Sequence, residues 1–223
     1  MLSVIRGAFT GLWRDSEFLK FWAASAVSDV GTQVSALALP LIAALTLGAT
    51  AWQMGLLSAA GEAPVLFVGL FAGVWVDRLR RRPVMIVADV ARAALLLVIP
   101  VSSALGVLTI EILCAVTALT GTFAVPFDVA ILSFVPSLVR ERELMDSKLE
   151  LTSSVAQVAG PGVGGLLVNA LGAPFAVLID ALSFLGSAFF LLRTRVPEPR
   201  AASSGERGGV FAEVREGLSV SFV

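Results

Sequence analysis

Apolar residues in this chain gather in long blocks and do not alternate with polar ones. Six blocks stand out, at 21–47, 52–76, 83–105, 108–138, 149–171 and 174–192, each holding few charged residues. About 20 mainly apolar residues are needed to cross a hydrocarbon core of roughly 30 Å as a helix. The pattern therefore predicts six transmembrane helices. Glycine marks three of the breaks, at Gly48, Gly106 and Gly172. The fourth block carries Pro126 and Pro136, which predict a kink or an early end there.

The positive charges add an orientation. Arg6, Arg14 and Lys20 precede the first block, and Arg78, Arg80, Arg81 and Arg82 separate the second from the third. Arg140, Arg142 and Lys148 separate the fourth from the fifth, and Arg193, Arg195, Arg200, Arg207 and Arg215 follow the sixth. The three glycine-marked turns carry no Lys or Arg, and only Arg92 lies inside a block. Positive residues stay on the cytoplasmic side. This predicts a multi-pass protein of the cell's inner membrane with both termini in the cytoplasm. It divides the chain into a cytoplasmic N-terminal segment at 1–20, a bundle at 21–193, and a cytoplasmic tail at 194–223. Residues 196–209 of the tail are linker-like, and 211–223 are patterned as a short amphipathic helix. The first block is too long for the apolar core of a cleaved signal peptide and lacks a cleavage site, so it reads as the first span.

Composition narrows the chemistry. The chain is 57% hydrophobic and 15% charged over 223 residues, against about a quarter charged in soluble domains. A net charge of -1 offers no basic field for nucleic acid. One cysteine, Cys114, and no histidine rule out an internal disulfide and disfavour a zinc site. No Ser-His pair, His-rich metal motif or phosphate-binding Gly-rich loop is present, so no enzyme, metal or cofactor is expected. A channel would need a repeated polar or glycine-lined filter, which is also absent.

Five acids fall well inside the predicted spans, away from their ends: Asp29, Glu62, Asp89, Asp128 and Asp180. Burying a charge in lipid costs roughly 2.5–3.5 kcal/mol on insertion scales, so each is a candidate functional group. At about 1.5 Å per residue, Asp29 and Glu62 fall near the midplane on adjacent spans, a candidate site for protons or a cationic substrate. Ser25, Ser28, Thr32 or Ser58 could instead hold them structurally. Asp89 and Arg92 share a helix face and form a candidate intramembrane pair. Asp128 is a candidate latch for Arg78 or Arg81. Asp180 gets a packing role only, and Glu111 lies near an outer helix end.

Two motifs go further. The run from Gly73 through Asp77, Arg78, Arg80, Arg81 and Arg82 to Pro83 resembles the G-x-x-x-D-R-x-G-R-R-x loop of the major facilitator superfamily. It departs at Arg80, where the family usually has Gly. Gly160, Pro161, Gly162, Val163, Gly164 and Gly165 resemble the G-P-x-x-G-G motif in the fifth helix of the superfamily's exporters. Weaker likenesses, at Asp89 to Arg92, at Phe175 to Phe184 around Asp180, and at Pro197 to Pro199, point to the branch of siderophore, macrolide and drug exporters. Glu216, Gly217 and Leu218 resemble the lead into a seventh span.

The resemblance implies an all-α membrane protein of six transmembrane helices, arranged as two three-helix inverted repeats. It implies efflux of small molecules by alternating access, exchanged for protons, with the lipid bilayer as surroundings. The helix bend at Gly160, Pro161, Gly164 and Gly165 would pack on a C-terminal bundle. Family members have two such halves, so the expectation is a truncated N-terminal half, or a chain that pairs with a second copy or a separate second bundle. The competing expectation is a non-transporting protein, or a half-size membrane protein that must pair with a second bundle.

Overall fold

The computed structural model describes residues 16–77, 79–138 and 142–193. The side chains of 16–18, 20, 21, 70–78 and 132–149 lie outside that description. Six helices follow in order: α1 Ser16–Leu41, extended by a π-helical turn Ile42–Thr46; α2 Ala51–Asp77; α3 Arg81–Ala104; α4 Ile110–Leu138; α5 Arg142–Leu171; and α6 Ala173–Arg193. The tail 194–223, with its expected linker and amphipathic helix, lies outside the described residues. Two helices begin earlier than the hydropathy pattern alone suggests. α1 starts inside the expected N-terminal segment, and α5 takes in Arg142 and Lys148 as its opening turns. α4 does not end early, because the helix runs through both Pro126 and Pro136.

Local chemistry explains the turns. Gly48, Gly106 and Gly172 have φ of 60°, 69° and 83°, and no other residue described has a positive φ. Glycine adopts this left-handed conformation without a Cβ penalty, which closes a helix tightly. Two of the next helices are then capped by threonine. Thr50 N–H donates to Gln53 Oε1 at 2.8 Å, and Gln53 N–H donates back to Thr50 Oγ1 at 3.4 Å. Thr109 Oγ1 accepts from Ile112 N–H at the start of α4.

Five of the helices are long and apolar enough to cross a membrane on their described residues: all but α2, whose final residues are not fully described. Their outer surfaces are apolar as well. Trp52, Leu66, Phe67, Val87, Val158, Leu166 and Leu192 all point away from the bundle. Such a surface suits hydrocarbon and would be costly in water.

The order of packing is not the order of the chain. α1 packs mainly on α6 and α5, α4 on α2 and α3, and α3 on α6, while α1 and α2 scarcely touch. Exchanging α1, α2 and α3 for α4, α5 and α6 leaves this principal pattern unchanged. Successive helices run in opposite directions, so a shift by three reverses each one, and the two three-helix units are inverted repeats. Small residues permit the closest crossings. A Cβ on Gly121 of α4 would lie 3.1 Å from Pro64 of α2, and one on Gly164 of α5 would lie 3.3 Å from Leu37 of α1. The interior forms two apolar clusters, one around Val34, Leu96, Leu113 and Phe184, the other around Ala24, Met85, Phe127 and Leu191. The buried ionisable residues lie where these clusters meet.

Candidate functional site

The site is built on the α3–α6 crossing. Arg82 of α3 fixes its base: Nε donates to Leu191 O and Nη2 to Leu192 O, both at 2.8 Å. Those are orphan carbonyls at the C-terminus of α6, where the helix dipole also favours a cation. Arg82 thus takes main-chain acceptors at the end of α6. Arg81 starts α3, and Arg80 precedes it in an extended conformation. Asp77 ends α2, but its side chain and that of Gly73, with all of Arg78, lie outside the described residues.

Ten residues above Arg82, about 15 Å along the helix, stands Arg92. It is 8% exposed, beside Asp89 at 0% on its own helix and Asp180 at 2% on α6. The guanidinium carbon lies 3.8 Å from the ring centroid of Phe184 and 5.9 Å from that of Phe127. A desolvated cation over aromatic faces is held firmly, by about 2 kcal/mol. Four carboxylates lie within its electrostatic reach: Asp180, Asp89, Asp128 and Asp29. The two pairs follow the internal symmetry, with Asp29 and Asp128 on α1 and α4, and Asp89 and Asp180 on α3 and α6.

The partners differ in how well they are satisfied. Asp180 Oδ1 accepts from Ser183 Oγ at 3.2 Å, while that hydroxyl also donates to Asp180 O at 2.8 Å. Gly31 lets the backbone of α1 reach this point, since a Cβ there would meet Ser183 Oγ and lie 2.6 Å from Asp180 Oδ1. Asp89 is different: neither carboxylate oxygen has a hydrogen-bond partner, and neither does Arg92 Nε. Ser187 Oγ faces Asp89, and Ser35 Oγ faces Asp180, each short of hydrogen-bond geometry.

The expected groupings are therefore redrawn. Asp29 does not meet Glu62; its electrostatic neighbours are Asp128 and Arg92, while Glu62 is exposed on α2. The cause is topological, because α1 packs on α5 and α6 and not on α2. Asp128, exposed on α4, faces Arg92, three turns inward from the signature loop. Asp89 and Arg92 share a face but make no hydrogen bond. The glycine-proline motif of α5 is split between two faces. Gly160 and Gly164 are buried against Gln33, Val34 and Leu37 of α1, whereas Pro161 and Gly162 are exposed and Gly165 has open space beyond it.

Sequence reasoning missed Phe127, Phe184, Ser187 and Gly31. Two signals pointed to them. Asp89-Val90-Ala91-Arg92 and Asp180-Ala181-Leu182-Ser183 open the same stretch in the third helix of each repeat. Ser28, Gly31 and Ser35 form a small-residue stripe at helical spacing on α1.

The family profile described as transmembrane secretion effector matches residues 7–221. The chain belongs to this family of the major facilitator superfamily. The family is one of membrane transporters and not of enzymes, and the protein is a multi-pass membrane protein. Among similar proteins, the multidrug efflux pump Tap of Mycolicibacterium fortuitum is 27% identical over 209 residues, covering 87% of this chain and 49% of Tap. The uncharacterized MFS-type transporters YfiS and YkuC of Bacillus subtilis are 26% and 24% identical. They cover 88% and 93% of this chain, and 47% and 50% of their own lengths. The chain thus spans about half the length of the curated relatives it matches. No solved structure matches it.

Proposed function

We propose that this six-helix bundle is one of two rocking halves of an exporter that carries lipophilic small molecules out of the cell in exchange for protons. The carrying observation is the convergence of Asp29 and Asp128, on the symmetry-related helices α1 and α4, upon the buried cation Arg92. Unpaired charge is retained inside a bilayer where it serves transport, and a midplane position between repeats is where carriers bind cargo and coupling ions. The name of the Tap relatives, multidrug efflux pumps, supports small drugs as the cargo.

In this reading both termini are cytoplasmic, and a second six-helix bundle faces α1 and α4. That bundle is either continuous with this one in a longer protein or a second copy. The exposed side of the α5 motif, at Pro161 and Gly162, lies against it, while Gly160 and Gly164 hold α5 to α1. Rocking of one bundle on the other opens the Asp29–Asp128 side to each face of the membrane in turn. Protonation of an acid from outside resets the cycle.

The test is drug accumulation in a hypersensitive bacterial strain. Cells expressing this bundle together with a second six-helix bundle should retain less ethidium and related dyes, and a protonophore or Arg92→Ala should abolish the difference. Unchanged accumulation across a broad panel of dyes and drugs would defeat the exporter reading. Labelling of single cysteines at Gly48 and Gly172 from outside intact cells checks the orientation, and exclusive labelling from the inside would reverse it. Proton-driven transport by a strictly monomeric chain would defeat the two-bundle arrangement.

A further inference from the structure

Among the described residues, Asp89 is the acid with the least exposed surface, and its carboxylate is unsatisfied. It is 0% exposed, neither oxygen has a partner, and the facing Ser187 Oγ, also 0% exposed, is unpartnered too. Keeping an ionised carboxylate buried without a hydrogen bond is costly. After a small side-chain rotation the Ser187 hydroxyl can donate to the carboxylate or accept from the neutral acid's O–H, so it serves both forms, and the neutral acid is the one that avoids a buried charge with too little counter-charge.

The surrounding charges agree. Arg92 comes from Asp89's own helix, Asp180 from α6, and α4 and α1 bring Asp128 and Asp29 towards the same guanidinium. One cation cannot balance four anions. Arg92 is also committed to the Phe184 face, which lies on the Asp180 helix. Its Nε remains without an acceptor, so a second arrangement, turned towards Asp89, is open to it.

We propose that Asp89, with Ser187 as its hydrogen-bond acceptor, is a proton-binding site of this bundle, and that Arg92 turns from the Phe184 face to Asp89 when the proton leaves. This deepens the proton-exchange reading above and rests on it. The step makes or breaks only an O–H bond. The proton comes from water and returns to water on the side where Asp29 and Asp128 are open, and the charge left on Asp89 is met by the guanidinium. The α3–α6 crossing thereby acquires two arrangements chosen by one proton.

Infrared spectroscopy of the purified chain in lipid tests this, because a protonated carboxyl has a C=O stretch that a carboxylate lacks. At neutral pH a band from a buried acid is expected. It should be lost in Asp89→Asn, kept in Asp180→Asn, and shifted in Ser187→Ala, which removes the acceptor. Ser187→Ala leaves the acid in place, so it decides the matter if Asp89→Asn fails to fold. The proposal is overturned if no such band exists, if the band survives Asp89→Asn, if it is lost instead on changing Asp29, Asp128 or Asp180, or if Ser187→Ala does not move it. The readout needs no transport. A clear Asp89 band without drug efflux would defeat only the exporter reading, and efflux without the band would defeat only this assignment.

Discussion

The close approach of α1 to α6 at Gly31 can be tested by filling it. In Gly31→Val the new Cβ would meet Ser183 Oγ, lie 2.6 Å from Asp180 Oδ1 and lie 2.8 Å from Ser183 Cβ. Carbon atoms pack at about 3.5–4.0 Å, so the last contact is too short by about 1 Å before the valine methyls are counted. Ser183 Oγ can rotate away, but its Cβ is fixed to the α6 backbone, so the helices themselves must part. Overpacking of this kind costs about 1–3 kcal/mol, and the valine methyls place it towards the upper end. Valine gains a few tenths of a kcal/mol over glycine as a helix former, which Gly162→Val in α5 gains equally, because nothing lies within 4 Å of a Cβ there. The difference between the two variants therefore isolates the contact, at about 2 kcal/mol. At about 2–4 °C per kcal/mol for a chain of this size, Gly31→Val should melt about 4–8 °C below Gly162→Val in a detergent thermostability assay. Adding Ser183→Gly to Gly31→Val should recover at least part of the loss. Equal melting temperatures for Gly31→Val and Gly162→Val would refute the α1–α6 approach described here.

Other perturbations address the rest of the frame. Arg92→Ala strips the Asp180 carboxylate of its buried counter-charge and should destabilise the bundle by roughly 3–5 kcal/mol, with partial recovery in Arg92→Ala/Asp180→Asn, both read as melting temperature. Arg92→Lys should remain well short of the wild type, because an ammonium cannot lie flat on the Phe184 ring as a guanidinium does. Arg82→Ala removes two hydrogen bonds to the end of α6 and should cost roughly 1–3 kcal/mol, with faster amide exchange confined to the last turn of that helix. Trp22 Nε1 donates to Thr152 Oγ1 at 2.9 Å, tying α1 to α5. Trp22→Phe and Thr152→Val should each cost roughly 1 kcal/mol, and the double variant should cost less than their sum.

Much of this architecture is written in the chain itself. Block length against bilayer thickness sets the number of helices, and Gly48, Gly106 and Gly172 set three of the turns, because each determinant is local. The signature loop and the glycine-proline run point to the superfamily for the same reason: their residues are contiguous. What the sequence could not supply is which helices meet. Spans adjacent in the chain suggest Asp29 with Glu62 as a pair, yet α1 packs on α5 and α6, so Asp29 turns to Asp128 and Arg92 while Glu62 faces outward. Likewise the α5 motif reads as one face but occupies two, since a helix turns 100° per residue and Gly160 and Pro161 cannot point the same way. Arg92, Asp89 and Asp180 come together only because α3 and α6, far apart in the chain, cross. Lipid exposure dictates that helices form, but helix–helix contact in lipid is decided by shape and by scarce polar groups, and those act between segments rather than along them.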